Sequence, residues 1–450
     1  MSKINRKRHR EKSSEIDRIL RGLETRADAS LVEELVRAGK KKSGRPAKAS
    51  VMDVLQGLLW HALSETGTLG EHFADATGKR LSESSLSERR RNIPLDIFFQ
   101  IIGLFLRPLA NEKKHPESYY RGYLLVGLDG TEFSLRNTVS ILKHCSKSVS
   151  RRMAAAFAKV RGSVLVELGM HNPIAAAIGP RQESEAVLSA QLLKQLPKKS
   201  LLLADRYYGN GQFVNQFLRF CKGSRCLCRV KDNLKARTVR KLKDGSRIVS
   251  VLVRSKGSQR IEGTLELREI KAMLKRKGHR SQRVRLWTNF LSERQAPASE
   301  LVELYARRWE HETYYRELKC ILGNCDLLAS QTVESACQEI AALLVASSIV
   351  AEHRMRASNG KTGLKVTAVS FAHTLFNVRC LWEVIPLLRE FLTSRQLRSF
   401  ADMMRDKLIP EKLPKKRSRS CPRAVRQPIK GWPRLLKNSY VLGEPEIRIV

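Results

Sequence analysis

Three acids and one short run of basic and aromatic residues carry the chemical content of this chain. The run is YARRWEHETYYRELK, residues 305–319. On a helix turning about 100° per residue, Tyr305, Arg308, Glu312 and Lys319 fall within roughly 60° of one another, and Arg316 lands close by. A core-facing helix would fill that stripe with Leu and Val. A carboxylate held among cations and a phenol suits a site that handles a metal ion and a polyanion together. Two further acids close apolar runs upstream: Asp129 in LLVGLDGTEF and Asp205 in LLLADRYYGN. An acid at such a position is costly unless a charge compensates it. Taken singly, Asp129-Gly130 reads as a turn and Asp205 as a helix cap. As an ordered set on strand, strand and helix, Asp129, Asp205 and Glu312 form a hard-oxygen site, which favours Mg²⁺ or Mn²⁺ over zinc. Two such ions about 3.5–4 Å apart suit phosphoryl transfer.

The elements that must position these acids follow from the pattern. Residues 123–135 (YLLVGLDGTEFSL) read as a strand, with further strands at 163–171, 174–178 and 200–204 and helices at 183–196 and 211–221. That alternation is the texture of an α/β sheet. Between about 226 and 292, RCLCRV, RIVSVLVRS, GTLELREI and RVRLWTNF read as a β-rich insertion. The signature helix then spans 300–322, and 333–355 and 364–400 read as helical. Upstream, 13–23, 30–38 and 50–64 are amphipathic helices, broken by a basic loop, KKKSGRPAK. The helix at 82–91 has a capping serine and ends on Arg89, Arg90 and Arg91. It fits either the recognition helix of a helix-turn-helix, with those arginines at phosphates or base edges, or a surface helix with a charged end. From about 409 the chain turns Pro-rich and basic, which points to an extended tail.

Composition agrees with a nucleic-acid partner. Lys plus Arg number 84 against 44 Asp plus Glu, a net charge of +40. Such an excess favours phosphate-rich partners. The longest apolar run, 340–351, is too short to span a bilayer. The basic N-terminus lacks the apolar core of a signal peptide. These features predict a cytoplasmic protein with no membrane partner. Nine cysteines in such a chain argue against a disulfide framework. Cys221, Cys226 and Cys228 lack the paired C-x-x-C spacing of a zinc ribbon. His311-Glu312 begins like a zinc-protease H-E-x-x-H, but Tyr315 occupies the second His position.

The spacing Y-x2-R-x3-E-x6-K, met at Tyr305, Arg308, Glu312 and Lys319, resembles the YREK signature of DDE-class insertion-sequence transposases of the insertion-sequence-four branch. DGT at 129–131, DRYYG at 205–209, WTNF at 287–290 and the basic PRAVRQPIKGWPR tail are similar to that family as well. The resemblance implies an α/β, ribonuclease H-like catalytic core with a β-rich insertion, flanked by helical N- and C-terminal regions. The corresponding domains are 1–118 (helical, DNA-binding), 119–330 (catalytic, insertion about 226–292) and 331–450 (helical, with the basic tail). It implies two metal ions held by Asp129, Asp205 and Glu312, and cut-and-paste cleavage and strand transfer at the ends of an insertion sequence. Tyr305, Arg308 and Lys319 would contact phosphates near the scissile end; helix geometry adds Arg316. Trp287 is a candidate for stacking on a flipped base, although its strand position favours a core role. The partners implied are double-stranded DNA (terminal inverted repeats and target) and a second copy in a synaptic homodimer, in a prokaryotic, nucleoid-associated setting. A DNA-binding relative that does not cut, or a metal-dependent nuclease on the same scaffold, are the alternatives.

Overall fold

The computed structural model describes residues 48–149, 154–180, 183–255, 260–275, 281–323, 327–358, 364–388, 391–408, 419–420, 440–441 and 446–450. The expected helices at 13–23 and 30–38, the KKKSGRPAK loop except Lys48, and nearly all of the basic tail lie outside these residues. In chain order the helices are α1 (Val51–Leu63), α2 (Leu69–Thr77), α3 (Glu83–Arg91), α4 (Leu95–Phe105), α5 (Val139–His144), α6 (Glu185–Leu193), α7 (Gly211–Phe220), α8 (Ala298–Ala306), α9 (Trp309–Arg316), α10 (Val333–Ser358), α11 (Phe371–Leu388) and α12 (Ser394–Asp406). The strands are β1 (Tyr119–Tyr120), β2 (Tyr123–Leu135), β3 (Lys147–Val149), β4 (Ala154–Glu167), β5 (Asn172–Pro180), β6 (Ser200–Ala204), β7 (Arg225–Arg229), β8 (Arg237–Lys241), β9 (Arg247–Arg254), β10 (Ile261–Lys275), β11 (Gln282–Thr288) and β12 (Leu327–Leu328).

The chain forms two compact units that interleave along the sequence. The first comprises Met1–Ser118, Gly130–Leu192 and Glu310–Leu413; the second comprises Tyr119–Asp129, Leu193–Trp309 and Pro414–Val450. The three consecutive domains expected from sequence therefore do not coincide with the compact units.

The first unit is built on α10. Its residues from Ile340 to Ala351 are buried almost without a break, and they join Leu55, Leu59, Phe98, Tyr314 and Leu318 in one core. At 26 residues this helix is long and apolar enough to cross a membrane, but 78% of its apolar window is buried inside the protein, as in a core helix. The apolar run 340–351 is the buried middle of this helix. Ser50 opens α1 with a reciprocal capping box to Asp53, and Ser82 caps α3. Burial of Leu86 turns α3 inward. Arg89 Nε then donates to the Ala49 carbonyl at 3.0 Å, and Arg90 Nε to Gln338 of α10 at 3.1 Å. Gln338 donates back to the Arg90 carbonyl. Two of the three arginines proposed for DNA are thus engaged within the unit, and Arg91 stays exposed.

The second unit is a mixed sheet in the order β2-β6-β7-β11-β10-β9-β8. Strands β2, β6 and β7 run parallel; β7 to β8 alternate antiparallel. RCLCRV was expected in the insertion. It is instead the third parallel strand, registered with Leu201–Ala204. Cys226, Leu227 and Cys228 are all buried, which marks an inner strand covered on both faces rather than an alternating one. The remaining β-rich strands extend the same sheet. A strand at the C-terminus, Glu446–Ile449, pairs with the end of β10, an element that was not expected. Buried Arg268 on β10 binds Asp244 and the Ala296 carbonyl, tying the turn after β8 to the start of α8.

Candidate active site

The second unit places two acids side by side. Leu128 of β2 pairs with Ala204 of β6 in parallel register. Asp129 and Asp205 are the next residues on neighbouring strands, whose backbones lie roughly 4.8 Å apart. Both stand where their strands leave full burial: β2 is buried from Leu124 to Leu128 and opens over the next four residues, while β6 is buried throughout and ends at Ala204. Carboxyl ends of parallel strands are where open α/β sheets bind ligands. The Asp205 carboxylate accepts from the Tyr207 N–H at 2.7 Å and starts a turn that Asn210 closes by capping α7. Gly209 is required there for steric reasons. A Cβ on it would meet the Arg229 carbonyl oxygen at 1.8 Å.

A cation already faces Asp129. Arg308 Nη1 lies 3.7 Å from Asp129 Oδ2, and its guanidinium stacks on the Trp309 ring at 5.4 Å. Two carboxylates in neighbouring register, one of them facing a cation, are hard oxygen donors of the kind that bind a divalent ion. Among the described residues, no group of three or more His, Cys, Asp or Glu is arranged to hold a metal. The structure brings Asp129 and Asp205 together; Glu312 lies on α9 of the first unit, half-buried.

The signature segment is not one helix. It divides into α8, a turn at Arg307–Arg308, α9, and a π-helical segment, Glu317–Leu322. The common stripe expected for Tyr305, Arg308, Glu312 and Lys319 assumed unbroken helical rotation, so it does not hold as a single face. Tyr305 is buried, and its hydroxyl donates to the Ala204 carbonyl at 3.3 Å. Burial pushes its phenol well above the usual tyrosine range. This residue props the end of β6 beside Asp205. Lys319, in the first unit, donates to the Glu132 carbonyl at 2.7 Å and sits over the Phe133 ring. Arg316 is exposed.

Trp287 takes the core position that its place in a strand favours. It is 1% exposed, and its indole N–H donates to Glu269 at 3.1 Å. Arg285 binds the same carboxylate at 2.6 Å. Beside it, Asn289 of the WTNF segment accepts from the Cys226 N–H and donates to the Ser224 carbonyl, fixing the entry to β7. The large exposed aromatic of the second unit's signature segment is Trp309, 63% accessible. Cys221, Cys226 and Cys228 are buried thiols, and burial raises Cys221 to about 12.

The family model for the transposase DDE domain matches residues 121–349, just over half of the chain. The chain belongs to the transposase DDE-domain family. This transposase is similar to the transposase InsG for insertion sequence element IS4 of Escherichia coli (strain K12), with 24% identity over 313 residues, covering 69% of this chain and 70% of the relative. Among solved structures it matches a piggyBac transposase synaptic complex with hairpin DNA at a TM-score of 0.43 and 10% identity, over 86% of this chain and 84% of that one. It is an enzyme of DNA cleavage and strand transfer, and its family works with divalent metal ions.

Proposed function

We propose that this transposase moves an insertion sequence of the IS4 type by cut-and-paste, acting on terminal inverted repeats from a ribonuclease H-like core. The observation that supports this reading most is the parallel register that sets Asp129 beside Asp205. Asp129, Asp205 and Glu312 would hold the metal. Two ions, Mg²⁺ or Mn²⁺, supply charge stabilisation at the attacking and leaving oxygens of phosphoryl transfer when bound. Arg308, already turned toward Asp129, moves to a phosphate as DNA enters, and exposed Arg316 and Arg91 add backbone contacts. Lys319, held over the Glu132 carbonyl, supports the same strand and reaches phosphate from there. Exposed Trp309 offers a face for a base unstacked at the cut. Water first replaces the 3′ oxygen at the element end, and that oxygen leaves as a 3′-OH. The freed hydroxyl then attacks a second phosphodiester, joining element to target. The protein works in the prokaryotic cytoplasm at the nucleoid, as a homodimer holding paired ends.

The test is incubation of the full chain with DNA carrying its element's ends and a target plasmid. Metal-dependent nicks at the element boundary and covalently joined element–target products are expected. Nicks without joined products would make the chain a nuclease. Binding with neither product would make it a non-cutting relative.

A further inference from the structure

A tight turn in the first unit holds the back of the helix that carries Glu312. The turn joins β4 to β5 at residues 168–171, and two of its members have left-handed backbone: Gly169 at φ 85° and His171 at φ 53°. It grips α9 at Glu310 and the π-helical segment that continues it at Glu317. The Gly169 N–H donates to Glu310 Oε2 at 2.6 Å, and His171 Nδ1 bonds Glu317 Oε2 at 2.8 Å. Residues seven apart on a helix are offset by only about 20°, so Glu310 and Glu317 share a stripe. Glu312 is rotated by about 200° from Glu310, onto the opposite face. Whatever fixes the Glu310–Glu317 stripe therefore fixes the direction of Glu312.

The grip is built deep in the unit. The His171 and Glu317 side chains are each 6% exposed. Fully buried Arg354 of α10 adds contacts of 3.4 Å to both Glu317 oxygens and is itself held by the Val369 carbonyl and the Phe371 ring. A buried ion pair is weak evidence for net stability, since desolvation offsets most of the attraction. It does impose one geometry, because any other leaves a charge without compensation. Burial pushes the Glu317 carboxyl up, but Arg354 and His171 outweigh it and hold the group below its ordinary value, as a carboxylate. The helix turns to π geometry at Glu317 itself, a departure common at functional sites.

We propose that His171, Glu310 and Glu317 are positioning residues that clamp α9 from behind and aim Glu312 at the metal. This rests on the reading of Glu312 as a metal ligand. The test uses the full chain well below its unfolding temperature and titrates Mn²⁺ or Mg²⁺ in the end-cleavage assay. For His171→Ala, and for Glu310→Ala at the shallower grip, the metal concentration for half-maximal cleavage is expected to rise about tenfold or more, with metal-free binding to end DNA unchanged. His171→Asn should restore the requirement, because Asn tolerates left-handed backbone and its amide can replace the Nδ1–H. Tyr314→Phe removes another buried bond of the same helix, to Ser347, and should leave the metal requirement alone. A wild-type requirement in both alanine variants, or an equal shift in Tyr314→Phe, overturns the proposal. If Glu312→Gln itself cuts normally, the underlying reading has failed instead.

Discussion

Asp129→Asn and Asp205→Asn should each abolish end cleavage while leaving DNA binding in place. The two side chains follow a registered pair on parallel strands. Amidation keeps their shape, so the fold should hold. What is lost is the charge that retains a divalent ion. Metal-supplied stabilisation of several kcal/mol corresponds to a rate loss on the order of 10³-fold. Binding is carried by the basic surface and should fall with salt as before. Glu312→Gln should behave alike. Asp205→Cys offers a sharper reading: a thiolate suits Mn²⁺ better than Mg²⁺, so partial activity should return in Mn²⁺ alone. An Asn variant that cuts at the normal rate would remove its residue from the site.

Gly209→Ala should be nearly as damaging, although it removes no functional group. Its new methyl would sit 1.8 Å from the Arg229 carbonyl oxygen, against backbone that cannot rotate away. The turn after Asp205 must shift or β7 must. Overpacking of this kind costs about 1–3 kcal/mol. Displacement of a catalytic group by about 1 Å can cost on the order of 100-fold in rate. A fall in Tm with a disproportionate fall in cleavage is therefore expected. Gly103→Ala, on α4 with open space around it, should change neither. Normal cleavage by the Gly209 variant would mean that the DRYYG turn does not hold Asp205 in place.

The strands carrying the aspartates were legible because their signals are local. β2 is the expected 123–135 and β6 the expected 200–204: the first half of β2 and the whole of β6 are short apolar runs followed by an acid. The break in the signature helix was not legible. No Gly or Pro marks Arg307–Arg308, and helical spacing reads straight through it. Contacts far apart in sequence decide the outcome, namely Tyr305 to Ala204 and Glu317 to His171 and Arg354. RCLCRV was assigned to the insertion because a five-residue strand with a buried centre carries no record of its neighbours. β8 was missed because every residue in it is exposed, leaving no apolar pattern to read. Trp287 shows the limit of residue type as a guide: the aromatic suited to stacking is locked behind Glu269, and the accessible one stands next to Arg308.

The most direct test is anomalous scattering from Mn²⁺ in crystals of the full chain with its cleaved end DNA. The account expects Mn²⁺ peaks with carboxylate oxygens of Asp129, Asp205 and Glu312 at roughly 2.0–2.3 Å. Peaks at other residues, or at the two aspartates with Glu312 out of reach, would contradict it.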